Sequence, residues 1–234
     1  RVLTGGEAFT LATRPGEDLL LVTRVHGRET VPLAVEVNGE RQASRIQPAV
    51  PGRWVEFVTW VPGDQVTAET HVRITVEGAG VYQPYYHWAY QGAFSPGERD
   101  QAPVARFGEQ GQVRLLAAEI AQRPTEVEVR LTWLGPAPDA GDAVLFVHLY
   151  NQSGAPPVAQ AADARPEGGA LPPGNWLPGV RTDTIILALP DLPPGEYPLA
   201  IGLYDAGSGA RLPVEGDGAD EDGRLFIGHV LIEE

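Results

Sequence analysis

The chain contains no cysteine, no methionine and no lysine. Without cysteine there is no disulfide, no thiol nucleophile and no thiolate metal ligand. Without lysine, Schiff-base and lysine-base chemistry are excluded, because all 17 basic residues are arginine. Without methionine, Arg1 is not a translation start, so the chain is expected to be a processed or excised piece. No apolar run approaches the ~20 residues of a membrane-spanning helix.

Positive charge is also scarce. The net charge of −14 argues against nucleic acid or an anionic lipid surface as partner, since phosphates repel such a chain. The charge is lopsided. Residues 1–97 hold 8 arginines and 10 acids, a net of −2; residues 98–234 hold 9 and 21, a net of −12.

What is present is a strand-forming sequence. A hydrophobic content of 43% with 21% charged residues is that of a folded protein. The 28 glycines and 22 prolines, without a collagen period, mark many turns between short segments. Segments 18–26, 33–39, 53–61 and 71–78 are β-branched, mostly alternating, and bounded by Gly, Pro or Asn. In 53–61, Trp54, Glu56, Val58 and Trp60 share one face. Asn38-Gly39 is a strong hairpin signal. Segments 113–121, 126–134, 143–151, 182–189, 197–205 and 224–234 read the same way, and 143–151, apolar on both faces, is expected to be central. No helical period is sustained. The fold class is therefore all-β: two consecutive antiparallel β-sandwiches. The expected boundaries are 1–97 for a jelly-roll-like sandwich, 98–103 for a linker, and 104–234 for an immunoglobulin-like one.

The second half carries a combination of motifs: LFVHLYNQSG (145–154), a Trp-x-Pro-Gly turn (Trp176, Pro178, Gly179), a Leu-Pro-Pro-Gly-x-Tyr turn (Leu192 to Tyr197) and Gly-Leu-Tyr-Asp (Gly202 to Asp205). In this it resembles a C-terminal module of large bacterial membrane glycosyltransferases of the mannosyltransferase-like class and their relatives in Chloroflexi-type bacteria. The resemblance covers most of residues 105–234. The first half is more loosely similar to galactose-binding-like jelly rolls, through VEVNGE followed by WVEFVTWVPGD. The resemblance implies an extracytoplasmic location, at the cell surface or secreted. It also implies an upstream membrane-embedded partner segment and no catalytic residues in this chain.

Residues 81–92, VYQPYYHWAYQG, concentrate five of the 18 Phe, Trp and Tyr residues. As a strand, Tyr82, Pro84, Tyr86, Trp88 and Tyr90 would share one face, with Gln83, Tyr85, His87 and Gln91 on the other. A core strand needs one apolar face. Rings on both sides mean that one face has another use, or that Pro84 breaks the period. Flat rings with polar tips suit sugars, whose C–H faces stack while neighbouring polar groups bond the hydroxyls. For a glycan the candidates are Tyr85, Tyr86, His87, Trp88 and Tyr90, with Arg24 and His26 from an adjoining strand. The commoner use of such rings is packing, closing the sandwich and meeting the linker or the second domain; a structural or assembly module that packs against a partner protein at the cell surface would bury them between domains.

Other chemistry is thinly represented. Asp217, Asp220 and Asp222 in the glycine-rich stretch 215–223 are candidate ligands for calcium, which takes several oxygens. The EF-hand register is not met, and a solvated hairpin loop is the more common outcome. No other cofactor is indicated. The five histidines show no zinc-ligand spacing, and His148, on one face with Phe146 and Tyr150, is expected to be a satisfied core histidine. There is no Gly-x-Ser-x-Gly and no phosphate-binding loop. A hydrolase would need two close carboxylates in a cleft beside the rings.

Overall fold

The computed structural model describes residues 2–92, 102–135, 137, 140–152, 156–166 and 171–233. Of the expected linker, residues 98–101 lie outside them. The fold is all-β. Sixteen strands are found among the described residues, and helical structure there is limited to short 3-10 turns such as Gly63–Gln65 and Pro173–Asn175. The chain divides into two compact units. The first comprises Arg1–Glu98 with Gly135–Asp142 and Gly169–Gly179; the second comprises Arg99–Leu134, Ala143–Gly168 and Val180–Glu234. Two segments from the second half of the sequence thus belong to the first unit.

In the first unit, β1 (Gly6–Ala12), β6 (Glu69–Val76), β3 (Val31–Val37) and β4 (Glu40–Gln47) form one antiparallel sheet in that order. The other sheet is β5 (Val55–Val61), β2 (Leu19–Val25) and β7 (Pro84–Gln91). Alternation explains the packing. Val31, Leu33, Val35 and Val37 all point inward, at most 1% exposed, and each such side chain contributes roughly 1.5–3 kcal/mol of apolar burial. Asn38 and Gly39 turn β3 into β4 with positive φ at both positions, as a two-residue hairpin loop of that type requires.

Strand β4 is polar in sequence yet carries buried Arg45 (2% exposed) and Gln47 (0%). They are tolerated because they bond backbone across the unit. Arg45 Nε donates to the Val58 carbonyl at 2.7 Å, and Gln47 Nε2 donates to the Val81 carbonyl at 2.9 Å.

In the second unit, one antiparallel sheet runs β13 (Gly179–Ala188), β10 (Glu126–Gly135), β9 (Val113–Arg123), β8 (Ala105–Phe107) and β15 (Val214–Gly216). The other runs β12 (Ala159–Gln160), β11 (Ala143–Leu149), β14 (Gly195–Asp205) and β16 (Leu225–Ile232). Phe107 and Trp133 meet edge to face at 5.9 Å in a core that includes Leu131, Val147, Leu199 and Ile201. The Leu-Pro-Pro-Gly-x-Tyr turn is locked by Tyr197, whose hydroxyl donates to the Pro193 carbonyl at 2.8 Å.

Candidate functional site: the aromatic surface of the three-stranded sheet

The entry of the aromatic stretch is held by a side chain acting as a piece of strand. Besides its bond to the Val81 carbonyl, Gln47 accepts the Gln83 amide at 2.8 Å through Oε1. Leu3 and Tyr82 exchange backbone hydrogen bonds of 2.8 and 2.9 Å. Tyr82 is thereby turned fully inward, at 0% exposed. Strand β7 then pairs with β2, Trp88 opposite Val22 and Tyr86 opposite Arg24. The next pair is Val25 with Pro84, so Tyr85 is an extra, bulged residue. The bulge explains why Tyr85 and Tyr86, adjacent in sequence, are both exposed, at 63% and 55%.

This corrects the expected face assignment. Tyr82 and Pro84 are buried on the inner side, whereas Tyr86, Trp88 and Tyr90 stand on the outer one. Of the two explanations for rings on both faces, a break in the period at the start of the strand is the one the register shows.

On the outer face, Arg24 lies over the Trp88 ring, 4.8 Å from its centroid, and bonds Glu56 on β5 through Nε at 2.8 Å. Tyr86 packs against Trp88 at 5.0 Å. Beneath them Leu20, Val22 and Val58 form a buried apolar cluster, against which Trp60, Trp88 and Leu177 pack. Tyr90, opposite Leu20, is 50% exposed.

At the end of the same sheet a second group forms. One step beyond the Val25–Val55 pair, His26 leaves β2 opposite Trp54 entering β5, and their rings meet at a tilt of 50° with centroids 4.9 Å apart. Tyr85 also meets Trp54, its ring centroid 4.6 Å away. A shallow pocket of about 200 Å³ lies here, lined by these three with Val2, Arg28, Gln83 and Pro84. Trp54 remains 51% exposed.

The structure therefore brings together Tyr85, Tyr86, Trp88, Tyr90, Arg24 and His26. It separates His87 from them. That ring points between the sheets, with Nε2 2.9 Å from Glu7 Oε1 and Nδ1 3.0 Å from Thr23 Oγ1, and stacks on Phe9 at 4.7 Å. Sequence reasoning missed Trp54, Glu56 and Arg28 as site residues. Trp54 was visible as an aromatic on a strand face, but its meeting with His26 and Tyr85 depends on three segments converging at one sheet end.

The second unit treats its candidates differently. Asp220 and Asp222 are occupied by Arg224: Nε meets Asp220 Oδ2 at 2.7 Å and one terminal nitrogen meets Asp222 Oδ2 at 2.8 Å. Asp220 Oδ1 also accepts the Asp222 and Arg224 amides. Asp217 is exposed and outside this arrangement. Among the described residues no group of three carboxylate or imidazole side chains is placed to hold a metal ion. His148 Nδ1 lies 3.1 Å from the Tyr150 hydroxyl and its ring stacks on Phe146 at 4.6 Å. Burial first, with Arg211 and Arg224 adding to it, holds its pKa below the usual 6.5 despite the opposing pull of Asp163. Among the described residues no helix is long and apolar enough to cross a membrane.

No protein-family model matches the chain, and no curated protein does. Among solved structures, a putative beta-galactosidase from Bacteroides fragilis matches at 15% identity and a TM-score of 0.29, over 91% of this chain and 32% of that one. A Bacteroides uniformis beta-glucuronidase matches at 12% identity and 0.27, over 89% of this chain and 25% of that one. The chain thus spans a third or less of the length of these enzymes. Scores of this size do not establish a common fold.

Proposed function

We propose that the chain is a non-catalytic accessory region that meets glycan through the outer surface of β7 and the adjoining sheet end. One observation carries this reading: Trp54, Tyr85, Tyr86 and Tyr90 stand 50–63% exposed on one continuous side of the sheet. Contiguous exposed apolar surface marks interaction sites, whereas singly scattered residues do not, and rings with polar tips are the type that stacks on sugar C–H faces while bonding hydroxyls. Arg24 and Glu56, immobilised on each other, add a donor and acceptor of settled geometry next to Trp88. Glu56, the carboxylate beside the rings, is engaged in that ion pair, which favours binding over hydrolysis.

The setting that goes with this reading is extracytoplasmic, beside a membrane-embedded glycosyltransferase-like enzyme; its support is the motif combination in residues 145–232. A protein-docking face is the rival. It has less support, because the apolar centre of the face is already packed under Trp60, Trp88 and Leu177, leaving tyrosines outermost. The test is titration with a panel of soluble oligosaccharides, read by calorimetry and tryptophan fluorescence. Binding that is lost in Trp54→Ala/Tyr85→Ala supports the reading. No heat and an unmoved emission spectrum across the panel refute it.

A further inference from the structure

Building on the glycan reading above, we infer that the pocket at the sheet end receives the anionic group of an acidic sugar. The pocket is lined by His26, Arg28, Trp54, Gln83, Pro84 and Tyr85, with Val2 at its rim, and by no carboxylate. Arg28 makes no side-chain hydrogen bond or ion pair among the described residues. That is unusual in this unit. Arg14 pairs with Glu17, Arg24 with Glu56, Arg41 with Glu77 and Arg73 with Glu36, while Arg45 is buried on backbone carbonyls. Of the described arginines in this unit, the two left unpaired, Arg28 and Arg53, both belong to this end: one lines the pocket and the other directly precedes Trp54.

The nearest acid in sequence, Glu29, forms no ion pair with Arg28 within 4.0 Å, and its Oε1 accepts the Val81 amide at 2.7 Å. In a chain of net charge −14, a ring stack flanked by unneutralised guanidinium is complementary to a sugar bearing a carboxylate or sulfate. The ring of that sugar lies on Trp54 and its charged group reaches Arg28. Gln83 supplies an amide beside them.

The experiment uses the whole chain and compares a short galacturonate oligomer with its methyl ester, which has the same rings and no charge, and with a sulfated oligosaccharide of similar length. The acid is expected to bind about tenfold more tightly than its ester, the advantage shrinking with added salt. Arg28→Gln should abolish the difference by bringing acid binding down to that of the ester, with the unfolding curve unchanged, since Arg28 is exposed. The sulfated probe binding in place of the galacturonate, with the same dependence on Arg28, supports the site and assigns the anion as sulfate.

Acid and ester binding alike, unaffected by Arg28→Gln, overturns this inference and leaves the glycan reading standing. A preference for acid that survives Arg28→Gln also overturns it, because the anion is then read elsewhere. No binding of any of these probes overturns this inference, and no binding across the oligosaccharide panel as well removes the glycan reading too.

Discussion

Two sheet faces in this molecule are built alike and finished differently. On β7, Tyr86 and Trp88 alternate along a strand with Arg24 laid over the indole. Along β11 and just beyond it, Phe146, His148 and Tyr150 alternate, with Arg211 over Phe146 at 4.9 Å and Arg224 over Tyr150 at 5.2 Å. The first row is open; in the second, Phe146 and Tyr150 are each 2% exposed. The difference lies in what local chain covers them. In the second unit the acidic loop turns back, Asp220 and Asp222 grip Arg224, and Arg211 donates to the Asp222 carbonyl at 3.1 Å, closing a polar lid over the rings. An acidic cluster that suggests a metal site in sequence is the counter-charge of a buried arginine. On β7 the arginine over Trp88, Arg24, is tied sideways to Glu56, and Tyr85, Tyr86 and Tyr90 stay exposed.

The comparison is broken most directly by matched truncations. Tyr150→Ala should cost about 3 kcal/mol in urea unfolding, as removal of a fully buried ring does, whereas Tyr86→Ala should stay within about 0.5 kcal/mol. Equal costs would mean that β7 is packed as tightly as the β11 face. Next comes the close approach of Phe146 to Gly202. A Cβ on Gly202 would sit 2.2 Å from Phe146 Cζ and 2.6 Å from the Gly223 carbonyl. Gly202→Ala should therefore destabilise by about 2 kcal/mol through forced repacking, measured the same way. Trp54→Ala is expected to do the reverse, lowering glycan affinity about tenfold by calorimetry with little change in unfolding midpoint. A destabilised Trp54→Ala with unchanged affinity would make the open row structural.

The smallest effect is the pH response of the closed face. Burial favours the neutral form of His148 in the folded protein, so below its ordinary value of 6.5 the unfolded chain binds more protons. Stability should then fall as the pH drops from about 7 to about 5, and His148→Gln should flatten that slope in thermal melts. An unchanged slope would show that His148 is not the group being charged.

Much of this architecture was legible in residue order. Alternating valines and leucines marked most of the strands, Asn38-Gly39 the hairpin, and the absence of Cys and Lys the chemistry that is missing. These signals are local, because a turn and a period of two are properties of neighbours in the chain. Strand β4 escaped, because Arg45 and Gln47 read as surface and are buried only through bonds to Val58 and Val81. The outward face of β7 escaped as well. Whether a residue after Pro84 faces in or out depends on one bulge at Tyr85, set by Gln47, Leu3 and Arg24 from remote segments. Composition and spacing alone therefore determined that the chain folds into strands and which reactions it lacks the groups for. Only tertiary structure decided which rings meet water, because register and covering loops are set by non-local hydrogen bonds and ion pairs that no short stretch of sequence contains.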